Sequence, residues 1–224
     1  MLSRLASAVI PTLGRLTITS DRETAPEPGT IIAANHTSLI DPGVVLAALR
    51  RSWNVEPVVL AAAGLWRIPL LGRLLIREGH IPVHRNTAHA SGALTLAADA
   101  LRAGRCVLIY GEGRLPRRKD AAEAEPETFH TGLARLSRLA RATGAPIVPL
   151  GQAGARRISS GSRSKQIAGV LTAPGRRPRI HVHLGAPMQL PADVADATAA
   201  AHQAVTRSWR TAAQHLGKSA GLAA

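Results

Sequence analysis

The sequence predicts a single α/β domain: a mixed, largely parallel sheet flanked by helices. Three observations predict it. Short apolar runs of strand length alternate with periodic runs of helix length along the 224 residues. Hydrophobic residues make up 46% of the chain, which excludes disorder throughout. The single cysteine, Cys106, allows no intrachain disulfide or cysteine-built zinc centre, so stability must come from a buried core, and the chain is long enough to build one.

Met1 to Thr19 reads as an amphipathic helix, broken by Arg4, Pro11, Gly14 and Arg15. It is too interrupted to span a bilayer and has no signal-peptide core. It either packs on the domain or lies at a membrane interface. Residues 1–28 are therefore a helix and lead-in, 29–216 the domain, and 217–224 a frayed tail. Thr30–Ala34 is a short apolar strand, and Pro42–Arg50 a helix with Asp41 as N-cap and Pro42 at the first helical position. Val55–Ala62 reads as a strand, followed by the apolar, arginine-studded stretch Leu65–Ile76. Gly79–Val83 is a strand, Thr87–Ala103 a helix stopped by Gly104, and Cys106–Tyr110 a buried strand in which Cys106 is a small core residue. Arg117–Thr128 reads as a loop, Thr131–Thr143 as a helix and Pro146–Leu150 as a strand. Gly151–Arg177, rich in Gly, Ser and Arg, reads as a mobile loop. Arg179–Leu184 alternates as a strand, with His181 and His183 on one face as structural histidines, and Asp193–His215 is an Ala-rich helix.

The charge narrows the partners. Lys and Arg number 28 against 14 Asp and Glu, a net +14, and all but Lys119, Lys165 and Lys218 of the basic residues are arginine. Arginine forks onto phosphates and carboxylates, so an anionic partner is expected. Aromatics are 2% of the chain, which argues against a domain that stacks single-stranded bases.

Two segments carry chemistry. Asn35-His36-Thr37-Ser38-Leu39-Ile40-Asp41 sits where a strand hands over to a helix. A turn there lets the Asp41 carboxylate reach one nitrogen of His36 and leaves the other as a general base. Equally, Asp41 can simply cap the helix. Tyr110-Gly111-Glu112-Gly113-Arg114 follows the best buried strand, with glycines that let a ligand approach and Arg114, Arg117 and Arg118 that can meet a phosphate. It is neither a Walker A loop nor a Gly-x-Ser-x-Gly elbow.

With Gly79-His80-Ile81-Pro82-Val83-His84-Arg85 and Pro146-Ile147-Val148-Pro149, taken in this order, these segments resemble the glycerolipid acyltransferase family, best known for 1-acylglycerol-3-phosphate acyltransferases. Asn35-His36…Asp41 matches the family's Asn-His-x-x-x-x-Asp in full, Arg85 the arginine of its Gly-x-Ile-x-x-x-Arg strand, and Glu112-Gly113 the start of Glu-Gly-Thr-Arg. Phe129-His130-Thr131-Gly132 resembles its Phe-Lys-x-Gly. Arg114 stands where the family has Thr, Leu115 where it has Arg, Gly111 for a proline and His130 for the lysine.

The resemblance implies an acyltransferase with His36 and Asp41 as catalytic pair, and Asn35, Arg85, Glu112, Gly113 and Arg114 at the acceptor end. The donor is acyl-CoA or acyl-carrier protein and the acceptor a lysophospholipid. No metal or bound cofactor is implied, and no covalent intermediate. The positive charge suits peripheral attachment to an anionic membrane on the cytoplasmic face, with Leu65–Leu75 as the contact. Two other readings stand beside it: a basic nucleic-acid-binding α/β domain, and a degenerate homologue that binds lipid without turnover.

Overall fold

The computed structural model describes residues 1–84, 90–116, 120–141 and 144–218. Arg85, Arg117, Arg118, Lys119 and the proposed tail from Ser219 lie outside them. The described chain runs α1 (Leu2–Leu13), β1 (Arg15–Ser20), β2 (Ile31–Ala34), α2 (Asp41–Trp53), β3 (Val58–Ala62), a 3-10 turn (Ala63–Arg67), α3 (Pro69–Arg77), β4 (Ile81–Val83), α4 (Ala90–Arg102), β5 (Val107–Tyr110), α5 (Gly132–Leu139), β6 (Ile147–Ala153), a second 3-10 turn (Ala155–Arg157), α6 (Arg163–Arg176), β7 (Arg179–Leu184) and α7 (Val194–Lys218).

The seven strands form one sheet in the order β1-β7-β6-β2-β5-β3-β4. Neighbours are parallel except β6 and β7, whose antiparallel pairing makes the sheet mixed. β2 and β5 are buried along their whole length because each face is covered by helices. Ile31, Ala33, Val107 and Ile109 pack with α4, α5 and α7 on one side. Ile32, Ala34, Leu108 and Tyr110 pack with α1, α2 and α6 on the other. That alternation is the two-residue period of a pleated strand, which is why IIAA and VLIY are apolar without interruption.

Three expectations are corrected. The N-terminal helix stops at Leu13, and Arg15–Ser20 is an edge strand paired with β7. Gly14 separates the two in extended backbone, and a side chain there would meet the carbonyl of Pro178 at 2.6 Å. Gly151–Arg177 is not a loop: β6 runs on to Ala153, and α6 follows with Ser162 as its N-cap. Gly169 belongs in α6 because a Cβ there would lie 2.1 Å from the Ile158 carbonyl, so close packing, not chain flexibility, selects the glycine. Finally, α7 continues through Gly217 to Lys218, past the expected start of a tail.

α1 packs on α2 through buried Ile10, which meets Gly43, yet Met1, Leu5 and Val9 on its other face are exposed. In α3 only Gly72 and Leu75 are buried, so most of this apolar helix is at least partly exposed. Among the described residues no helix is long and apolar enough to cross a membrane.

Candidate active site

β2 delivers Asn35 and His36 to the carboxyl edge of the sheet, beside the end of β5. Asn35 is fully buried and tied to Gln152 at the end of β6. Its amide donates to the Gln152 carbonyl (3.1 Å), its Oδ1 accepts the Gln152 N–H (2.8 Å), and its own carbonyl accepts from Gln152 Nε2 (2.9 Å). Asn35 therefore clamps two strand ends together and presents no group to a ligand. Sequence reading placed it at the substrate.

After His36 the chain turns so that the Asp41 carboxylate folds back over it. Asp41 Oδ2 lies 3.0 Å from His36 Nδ1 and also accepts the backbone N–H groups of Thr37 and Ser38, the latter at 2.7 Å. The Asp41 side chain is wholly buried, and these donors replace the water it has lost. The helix N-cap is Ile40, so the carboxylate does not cap α2 as expected from the sequence; it organises the turn before it. Ser38 Oγ donates to the Ser159 carbonyl (2.8 Å), and the buried Arg156 donates to the Thr37 carbonyl (3.1 Å) and to that of Asp120.

The His36 ring is stacked on Tyr110, with centroids 4.4 Å apart and planes 24° apart. Its Nε2 has no partner among the described residues, and the ring lines a cavity of about 1010 Å³. The lining is mostly apolar, from β3, the first 3-10 turn, α4 and α5. A base facing an apolar cavity, held from behind by a carboxylate, can take a proton from a hydroxyl and return it to a leaving group.

Glu112 is also placed differently from expectation. It is 3% exposed, and its two oxygens accept the His36 backbone N–H at 3.1 and 3.2 Å. It fixes the backbone of His36 and does not line the cavity. Burial pushes its carboxyl up from 4.5 to about 8. Between those values the folded protein holds a proton that the unfolded chain has released, so stability falls as pH rises through that window. Glu112→Gln is expected to remove this fall, raising stability at pH 8 by about 4 kcal/mol while changing it little at pH 5. Thermal melts of both proteins across pH 5–8 check it; parallel curves would mean that Glu112 is ionised in the fold.

Gly113 has φ of 63° and abuts His130, lining the cavity beside Leu115. Gly111 is needed because a side chain would run into the Phe129 ring at 2.2 Å, which accounts for glycine where the family has proline. Arg114 is paired with Glu127 (3.3 Å) and is not in the cavity wall. Arg85 lies outside the described residues. Cys106 is buried at the amino end of β5, the far end from His36. His181 and His183 bond to Thr17 and Thr19 across the β1–β7 seam, and His181 stacks on His215.

Sequence reading missed Gln152 and Arg156, which hold the Asn35–Ser38 turn from behind. Both lie in the segment misread as a loop. The signal for Gln152 is its place two residues beyond Leu150, which pairs with Ala34.

An open α/β sheet thus carries a histidine–carboxylate pair at its carboxyl edge, beside a mostly apolar cavity that can hold a lipophilic molecule against the imidazole. The chain belongs to the acyltransferase family, whose model matches residues 15–152. Its fold is similar to that of the 1-acyl-sn-glycerophosphate (LPA) acyltransferase PlsC from Thermotoga maritima, with a TM-score of 0.70 over 94% of this chain and 77% of that one, at 15% identity. No significant match is found among curated proteins.

Proposed function

We propose that the protein transfers a fatty acyl group from a thioester, acyl-CoA or acyl-carrier protein, to the hydroxyl of lysophosphatidate or a related lysolipid. The observation that carries this reading is the His36–Asp41 pair, 3.0 Å apart, with Nε2 facing the apolar cavity. His36 Nε2 takes the acceptor's hydroxyl proton as the oxygen attacks the thioester carbonyl. Asp41 stabilises the imidazolium that forms. The tetrahedral intermediate collapses, the C–S bond breaks, and His36 returns the proton to the thiolate. The acyl group moves directly between substrates: the Ser38 hydroxyl is committed to Ser159, and Cys106 is at the wrong end of β5. The acceptor's phosphate is assigned to Arg85, two positions past β4 in sequence, and to Arg114 once it leaves Glu127. Mass spectrometry of products from acyl-CoA and a panel of lysolipids tests the reading. Acylated product from no lysolipid would leave the degenerate, lipid-binding reading.

Attachment to a membrane's cytoplasmic face is part of the same proposal. On α3 and the turn before it, Ile68, Leu70 and Ile76 are 48%, 71% and 68% exposed, interleaved with exposed Arg67, Arg73 and Arg77. Aliphatic side chains that enter the acyl region and arginines that meet phosphate headgroups suit an anionic interface. The protein is expected to co-sediment with anionic liposomes at low salt and to be released at high salt. Charge reversal of Arg67, Arg73 and Arg77 should abolish binding. Equal binding to neutral liposomes at every salt concentration would remove the arginines from attachment, and preference for duplex DNA would favour the nucleic-acid reading.

A further inference from the structure

We infer that Arg135 and Arg138 bind the phosphate of the donor's phosphopantetheine arm at the rim of the cavity. The inference rests on the acyl-transfer reading, in which a thioester enters beside His36.

The described lining of the cavity contains no Asp or Glu, and its permanently charged side chains are Arg135 and Arg138. A wall without carboxylates suits an anion. Both arginines are exposed, and neither has a partner among the described residues. Neighbouring arginines are engaged: Arg114 with Glu127, Arg156 with the Thr37 carbonyl, Arg141 with the Leu190 carbonyl. Two guanidiniums without a protein partner on one wall leave both forks open to an anion. They sit three residues apart on α5, a spacing that puts them on one face, where two forks can share one phosphate. α5 itself has no acidic residue.

Their place along α5 favours the donor over the acceptor. The His130 amide donates to the Gly111 carbonyl at 2.9 Å, so the chain entering α5 is anchored next to the strand end that carries Tyr110 and abuts His36. From Gly132 to Arg138 the helix then rises roughly 9 Å. In a lysophosphatidate the phosphorus is only a few bonds from the reacting hydroxyl, so its phosphate must stay close to His36. In the donor the whole pantetheine arm separates thioester from phosphate. Arginines one and two turns into α5, counted from that anchored end, fit the longer arm.

The test measures binding of S-decyl-CoA, a thioether that cannot transfer, and of S-decyl-pantetheine, which has no phosphate. Wild type should prefer the CoA form. In R135A/R138A that preference should shrink tenfold or more while the pantetheine form binds as before; R135K/R138K should keep part of it. Both positions are exposed, and circular dichroism checks that the variants fold. S-decyl-phosphopantetheine separates the sources: a preference as large as for CoA assigns the phosphate common to CoA and carrier proteins, and a smaller one adds the nucleotide phosphates. An unchanged preference in R135A/R138A overturns the inference. So does equal weakening of both thioethers, weakening of lysophosphatidate binding alone, or loss of vesicle binding alone. A wild type that binds S-decyl-CoA through these arginines but transfers nothing from decanoyl-CoA would sink the acyl-transfer reading and leave the site standing.

Discussion

His36→Ala is expected to lower the rate of acyl transfer by about 100- to 10,000-fold, the usual cost of losing a general base. The fold should survive. The His36 contact with Glu112 is made by the backbone N–H, which alanine keeps. Asp41 loses one donor but retains the N–H groups of Thr37 and Ser38. The stacked ring over Tyr110 goes, leaving space that opens into an existing cavity. Little of the binding energy for either substrate passes through the imidazole, so the loss should fall on kcat with both KM values nearly unchanged. Steady-state kinetics with varied donor and acceptor, beside a thermal melt, check this. A variant within tenfold of the wild-type rate removes His36 from the proton transfer.

Much of this site was legible because its residues act close to where they stand in sequence. His36 and Asp41 are joined across one turn, and the apolar runs of β2 and β5 announce the strands that deliver them. What escaped depends on residues brought together from far along the chain. The role of Glu112 is visible only when β5 lies beside β2, since its carboxylate meets an amide 76 positions away. Asn35 was placed at the acceptor by its match to the family's Asn-His motif; its partner, Gln152, lies 117 positions away. Arg156 sits in an arginine-rich segment where composition points to solvent, and nothing local marks it as buried. β1 and α6 failed for a different reason. Arg15–Ser20 is a half-exposed edge strand with weak alternation, and in α6 the Gly, Ser and Arg content spoke for a loop while packing against Ile158 required a helix with a small residue.

Asp41→Asn separates the two duties that the sequence left in competition. Asparagine keeps one oxygen. With that oxygen in the place of Oδ2, the N–H groups of Thr37 and Ser38 and the His36 Nδ1–H all keep an acceptor, and the new amide faces Thr37 Oγ1, which lies 3.3 Å from Oδ1 and can accept. The reverse orientation would set an NH₂ against two buried N–H donors, each worth roughly 1–3 kcal/mol when left unpaired. The turn should therefore persist, and the melting temperature should fall only modestly. What asparagine cannot supply is the negative charge behind the imidazole. The imidazolium formed as the hydroxyl proton moves loses its counter-charge, and transfer should slow by about a thousand-fold or more; the same exchange in the serine-protease triad costs about 10⁴. Asp41→Ala should do both kinds of damage, since it leaves the Thr37 and Ser38 amides without an acceptor and loosens the turn itself. The discriminating result is the asparagine variant: near-normal melting with the rate lost places the carboxylate's charge in the reaction. A rate within tenfold of wild type would mean that Asp41 shapes the turn and His36 works without it.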